Sequence, residues 1–91
     1  MDRTEAAGLL RRELESYAGR PFEELVSLIG KTDAYAVRGE TGIEYQLEID
    51  ALWDAEEGGL LRVLGSIDDG TFRAAFSPVT DDLLVQPPTT D

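Results

Sequence analysis

Ninety-one residues carry a formal charge of −11, with no histidine and no cysteine among them. Those two absences exclude disulfides, thiolate metal sites, thiol nucleophiles and imidazole general bases. A chain of this length buries only about 60–65% of the surface it exposes when unfolded, so one domain is expected and two are not.

The charge is unevenly spread. Residues 1–38 carry six basic and seven acidic side chains, whereas residues 39–91 carry two basic ones, Arg62 and Arg73, against twelve acidic. Nucleic-acid phosphates and anionic membrane surfaces are poor partners for such a chain, because both need clustered Lys and Arg. The longest apolar runs are three or four residues, against about 20 for a membrane helix. The opening Met1-Asp2-Arg3-Thr4-Glu5 lacks the apolar core of a signal peptide. A cytoplasmic location is the resulting expectation.

Ala7, Leu10, Leu14 and Tyr17 recur at three- and four-residue steps, predicting a first helix from about Thr4 to Ala18. Arg11 and Glu15 form an i,i+4 pair on its wet side, and Gly19 offers a permissive C-terminus. Pro21 suits the first position of a second helix, with Glu23 and Glu24 in its first turn. Phe22, Leu25, Val26, Leu28 and Ile29 give that helix a broad apolar face, ended by Gly30.

The period then switches from about 3.6 to 2. Ala34–Arg38 is a short strand, closed by a turn at Gly39-Glu40-Thr41-Gly42. In Ile43–Trp53, Ile43, Tyr45, Leu47, Ile49, Ala51 and Trp53 alternate with Glu44, Gln46, Glu48, Asp50 and Leu52, a strand with one core face and one wet face. Leu60–Ile67 is a third strand in which Gly65 marks a weak point or bulge. Asp68-Asp69-Gly70 carries a hairpin signal, with Thr71–Phe76 returning as a fourth strand. Asp81-Asp82-Leu83-Leu84-Val85 reads as a turn and edge strand, and Gln86–Asp91 as a frayed tail. The expected fold is α+β: two N-terminal helices packed on one face of a four-stranded antiparallel β-meander, forming a single domain over residues 1–85.

Two groups of carboxylates stand out. Glu44, Glu48 and Asp50 share the wet side of the second strand, with Glu56 and Glu57 in the loop beyond. They read either as an acidic docking surface for a basic partner or as a solvated face kept from aggregating by charge. Asp68, Asp69, Asp81 and Asp82, with Arg73, form a second group. Four converging carboxylates could take Ca²⁺ or Mg²⁺, yet the spaced ligands of an EF-hand loop are missing and Asp is a turn and cap residue in its own right. No metal or cofactor is therefore expected.

Catalysis finds little support. Nothing fixes a carboxylate pair across a sugar cleft, the serines have no histidine to activate them, and Gly58-Gly59 lacks the Gly-Lys of a phosphate loop. Trp53, Tyr45, Phe72 and Phe76 suit a core, and Arg62 and Arg73 suit cross-strand neutralisation of nearby carboxylates.

Trp53-Asp54, Leu61-Arg62-Val63, Gly65-Ser66-Ile67-Asp68-Asp69-Gly70, Arg73-Ala74 and Pro78 with Thr80-Asp81-Asp82 fall in an order that resembles a family of small uncharacterised bacterial proteins. The resemblance spans residues 43–84, with a looser echo from Phe22 to Gly30. It implies a free-standing compact domain with no established activity. The family pattern continues in a Gly- and Asp-containing segment, where this chain has Pro87-Pro88.

The expected function is that of a non-enzymatic protein-interaction module, working through the acidic sheet face or an open strand edge, with inhibitor or immunity-like blocking of a basic protein as a special case. The alternative is a small-ligand or divalent-cation site at the 68–73 hairpin and the 78–82 segment. A monomer or a weak edge-to-edge homodimer fits either reading.

Overall fold

The computed structural model describes residues 1–70 and 78–89. Helix α1 (Arg3–Ala18) begins at Asp2, whose carboxylate accepts the Glu5 backbone N–H at 3.0 Å and so satisfies one of the unpaired donors of the first turn. Its buried stripe is Ala6, Leu10, Leu14 and Tyr17; Ala7, expected on that face, is exposed. Steps of four from Ala6 to Leu14 keep the stripe on one line, which Ala7 leaves by one residue. The C-terminus needs no special backbone, since Gly19 adopts φ −82°, open to any residue.

Helix α2 (Phe22–Val26) is shorter than the apolar pattern suggests and buries only Leu25. Leu28 leaves the helix as a turn residue, and Ile29 makes an isolated parallel bridge to Ala51. Their apolar surface reaches the core without helical geometry.

The sheet comprises β1 (Thr32–Arg38), β2 (Glu44–Trp53), β3 (Leu61–Asp68) and β4 (Val79–Val85), antiparallel throughout and in chain order. The α+β architecture with a four-stranded antiparallel sheet thus holds. The expected return strand at Thr71–Phe76 lies outside the described residues. The strand paired with β3 is Val79–Val85, so the Asp81-Asp82 pair sits in mid-strand rather than in a turn. Residues 86–89 continue without regular structure.

Gly65 is not a bulge. It pairs in register with Ile49 on one side and Asp81 on the other. What demands glycine there is close approach: a Cβ would lie 2.8 Å from both Leu10 Cδ1 and Ile49 Cδ1. Gly70 does serve a turn, with φ +79° and its N–H donating to Asp68 Oδ1 at 2.7 Å.

Odd-numbered residues of β2 and β3 point toward α1. Tyr45, Leu47, Ile49, Leu61, Val63 and Ile67 join Leu10, Leu14 and Leu25 in one buried cluster. Helix α1 lies over β3 and β4 and also touches β2, while α2 touches β2. The Phe22 ring meets Trp53 at 6.2 Å between centroids, tilted by 43°.

Candidate functional site

Alternation along the strands assigns each carboxylate to a face. On the side opposite α1, β2 displays Glu44, Gln46, Glu48, Asp50 and Leu52; β3 displays Arg62, Leu64, Ser66 and Asp68; β4 displays Thr80, Asp82 and Leu84. Thr32, Ala34, Ala36 and Arg38 complete the face along β1. Glu44, Glu48 and Asp50 therefore share one surface, as their spacing suggests.

Among the described residues, none of these three has an ion-pair partner. Asp50 accepts the Thr32 hydroxyl, and the Gln46 amide reaches Glu44 at 3.5 Å. Glu56 and Glu57 are exposed but lie beyond Trp53, at the far end of β2 from Glu44. Nine steps of about 3.3 Å put roughly 30 Å between Glu44 and Trp53, so the loop pair and Glu44 are separate surfaces.

The second group of acids is dispersed. Asp68 ends β3, and Asp69 lies 3.2 Å from the Met1 amino group. Asp81 points toward α1, where Arg11 Nη2 donates to it at 2.8 Å. Arg11 is thus spent on β4 rather than on the expected Glu15. Asp82 points the opposite way and meets Arg62, which also donates through Nε to Asp54 Oδ1 at 3.1 Å. Arg62 neutralises neighbouring carboxylates as expected; Arg73, Phe72 and Phe76 lie outside the described residues. No group of three or more metal-ligating side chains forms among the described residues.

A concavity of about 430 Å³ opens on the acidic face. Glu48, Asp50, Leu64, Ser66 and Asp82 line it, together with Arg62, which is paired to Asp82. Around Arg62 the same face turns apolar: Leu52, Leu84 and Leu60 are 41%, 49% and 37% exposed.

The helix-facing side holds a polar seam that sequence reading misses. Tyr45 is fully buried, and its hydroxyl donates to Glu5 Oε1 at 2.8 Å. The Thr41 hydroxyl donates to the same oxygen at 2.7 Å, and the Thr41 N–H reaches Oε2 at 3.2 Å. Gly39 clears room for this carboxylate, since a Cβ there would lie 2.6 Å from Glu5 Cδ. Tyr35 donates to Glu13 at 2.8 Å and Tyr17 to Asp33 at 2.7 Å. The Arg20 guanidinium rests 4.0 Å over the Tyr17 ring.

These contacts move the ionisations apart. The Thr41 and Tyr45 hydroxyls hold the Glu5 carboxyl below its ordinary value, with burial opposing them. Burial, then the facing Glu5, pushes the Tyr45 hydroxyl up to about 12. Tyr17 and Tyr35 are raised by burial first and by Asp33 and Glu13 second. Two of the hydrogen-bonded carboxylates sit on α1 at Glu5 and Glu13, eight residues apart on the wet shoulder of the helix stripe. That i,i+8 spacing beside an apolar stripe is the one signal in the sequence that could have revealed the seam. The seam fastens helix to sheet.

Among the described residues, no helix is long and apolar enough to cross a membrane. No protein-family model, no curated protein and no solved structure matches this chain.

Proposed function

We propose that this chain is a non-enzymatic protein-interaction module that receives a basic protein on the sheet face opposite α1. In this reading both helices are packed on one side of the sheet, leaving the other to a partner. The observation that carries it is the placement of Glu44, Glu48 and Asp50 together on that face with no cation paired to them among the described residues. Glu48 and Asp50 at the concavity, with Glu44 farther along the same strand, favour a cationic surface, raising its association rate and disfavouring anionic competitors.

The absence of histidine and cysteine supports a binding role over a catalytic one. Blocking a basic enzyme surface, as an inhibitor or immunity-like protein does, is a special case of the same chemistry. The open edges of β1 and β4, each hydrogen-bonded on one side only among the described residues, provide the second surface of this reading. A cytoplasmic location and a monomer or weak homodimer accompany the proposal.

The test compares partners captured by the wild-type protein with those captured by Glu44→Lys/Glu48→Lys/Asp50→Lys, at low and at raised salt. Loss of the same basic partner from the variant and from the high-salt wash is expected. A partner set unchanged by both treatments would refute the acidic-face reading.

A further inference from the structure

We infer that the partner docks as an amphipathic helix carrying basic residues at one end of its contact stripe and apolar residues at the other. This inference rests on the acidic-face reading and specifies what that face accepts. The face is divided lengthwise. One zone holds Glu48 and Asp50; the other holds Leu52 and Leu84, which flank Arg62 in register on either side, and the concavity between β2 and β4 runs from the acids to Arg62.

Arg62 does not repel a cation approaching the leucine zone, because Asp54 and Asp82 both bind its guanidinium. An apolar patch whose central charge is already neutralised, next to carboxylates that are not, suits a ligand with matching halves. A second copy of this chain is a poor occupant, since two such faces would bring like charges together at a net charge of −11 each. Nucleic acid and anionic lipid carry the same wrong sign.

The geometry favours a helix. Four strands spaced about 4.8 Å apart give a platform roughly 15 Å between outer strand axes, enough for one helix about 10 Å across. The opposite side of this sheet is covered in that way by α1, 16 residues long. Along β2, Glu48 and Leu52 lie four residues apart, about 13 Å at 3.3 Å per residue. A helix covers that distance in roughly eight to nine residues at 1.5 Å each. Asp50 lies halfway, about one helical turn from either. The partner pattern is thus basic at i, basic at i+4 and apolar at i+8.

The test titrates the full chain with a synthetic 18-residue helix carrying lysines at i and i+4 and leucines at i+7 and i+8. A peptide of identical composition, scrambled so that lysines and leucines fall on opposite sides, is the control. Calorimetry gives the affinities and amide shifts locate the contact. The patterned peptide should bind at least tenfold more tightly than the scrambled one, with shifts confined to the face opposite α1. Leu52→Glu/Leu84→Glu should bring the two peptides to within about twofold of each other. Glu48→Lys/Asp50→Lys should weaken both at least tenfold.

These positions are exposed or half-buried, and circular dichroism with the thermal midpoint checks that each variant is folded. Equal binding of both peptides, untouched by the leucine changes but lost in the lysine variant, overturns the divided footprint and leaves the acidic-face reading standing. Binding indifferent to the lysine variant, or shifts confined to the α1 side, overturns both. No binding of either peptide at millimolar concentration overturns the inference.

Discussion

Gly65→Ala adds one methyl group at the point where sheet and helix come closest. That carbon would sit 2.8 Å from Leu10 Cδ1 and from Ile49 Cδ1, against an ordinary carbon–carbon contact of about 3.5–4.0 Å. Both neighbours must yield by roughly 0.7–1.2 Å. Leu10 is 0% and Ile49 1% exposed, so neither can swing into solvent. Overfilling a core in this way costs about 1–3 kcal/mol. Alanine recovers about 0.5–1 kcal/mol through the smaller backbone entropy lost on folding. Crowding exceeds that gain, and a net destabilisation of about 1–2 kcal/mol is expected.

Relief should be specific. Both close atoms are side-chain ends, while the nearest backbone atom, the Glu48 carbonyl oxygen, would lie at 3.5 Å in ordinary contact. Ile49→Val deletes the offending Cδ1 and alone costs about 0.5–1.5 kcal/mol. In the Gly65→Ala background it should cost about 0.5–1 kcal/mol less, the coupling expected of residues in contact. Urea unfolding followed by Trp53 fluorescence measures each variant as a shifted midpoint at constant slope. A stabilised Gly65→Ala protein, or single effects that simply add, would refute the close-approach argument.

Three further outcomes follow from the seam and the sheet. Tyr17, Tyr35 and Tyr45, the chain's three tyrosines, all ionise above the ordinary value of 10 in the folded state. A raised folded value favours the neutral form, so this stability is present below pH 10 and lost as pH rises through the folded values, about 12 for Tyr45. Ultraviolet titration should show tyrosinate forming together with loss of the circular-dichroism signal; a phenolate formed near pH 10 with structure intact would refute this.

Glu5 runs the other way. Its lowered folded value means stability present above the ordinary 4.5 and lost as pH falls through the folded value. Thr41→Val should destabilise the protein at neutral pH and progressively less in acid, and a pH-independent deficit in denaturant melts would contradict it. Arg62→Gln leaves Asp54 and Asp82 facing each other without a cation, in a half-exposed setting where such pairs contribute about 1 kcal/mol or less. Adding Asp82→Asn should recover part of that loss in the same melts, whereas an additive pair would mean no coupling.

β2 was the most legible element, because strict alternation over ten residues has only one pleated solution. Its exposed carboxylates were legible for the same reason. β4 was obscured by its own sequence: Asp81-Asp82 resembles a turn, and only the tertiary partners Arg11 and Arg62 make two adjacent acids tolerable in mid-strand. Those partners lie 70 and 20 residues away, beyond the reach of any local pattern. The length of α2 is hidden from the sequence because Leu28 and Ile29 reach the core through a turn and a bridge, which an apolar count cannot tell from a helix face. The leucine zone beside the acids depends on β3–β4 register, and register emerges only once β4 is correctly placed.

The Arg11–Asp81 contact also ties α1 to β4, at one edge of the sheet. Each strand hydrogen-bonds to the next in the chain, so the sheet can assemble through a series of short loop closures. Helix α1 rests on β3 and β4, so its docking surface is complete only once β4 has joined the sheet. Until β4 joins, Leu10, Leu14 and Tyr17 have no complete surface to cover them. Substitutions along that stripe should therefore accelerate unfolding more than they slow folding. On that expectation α1 acts, in kinetic terms, as the latch of the sheet.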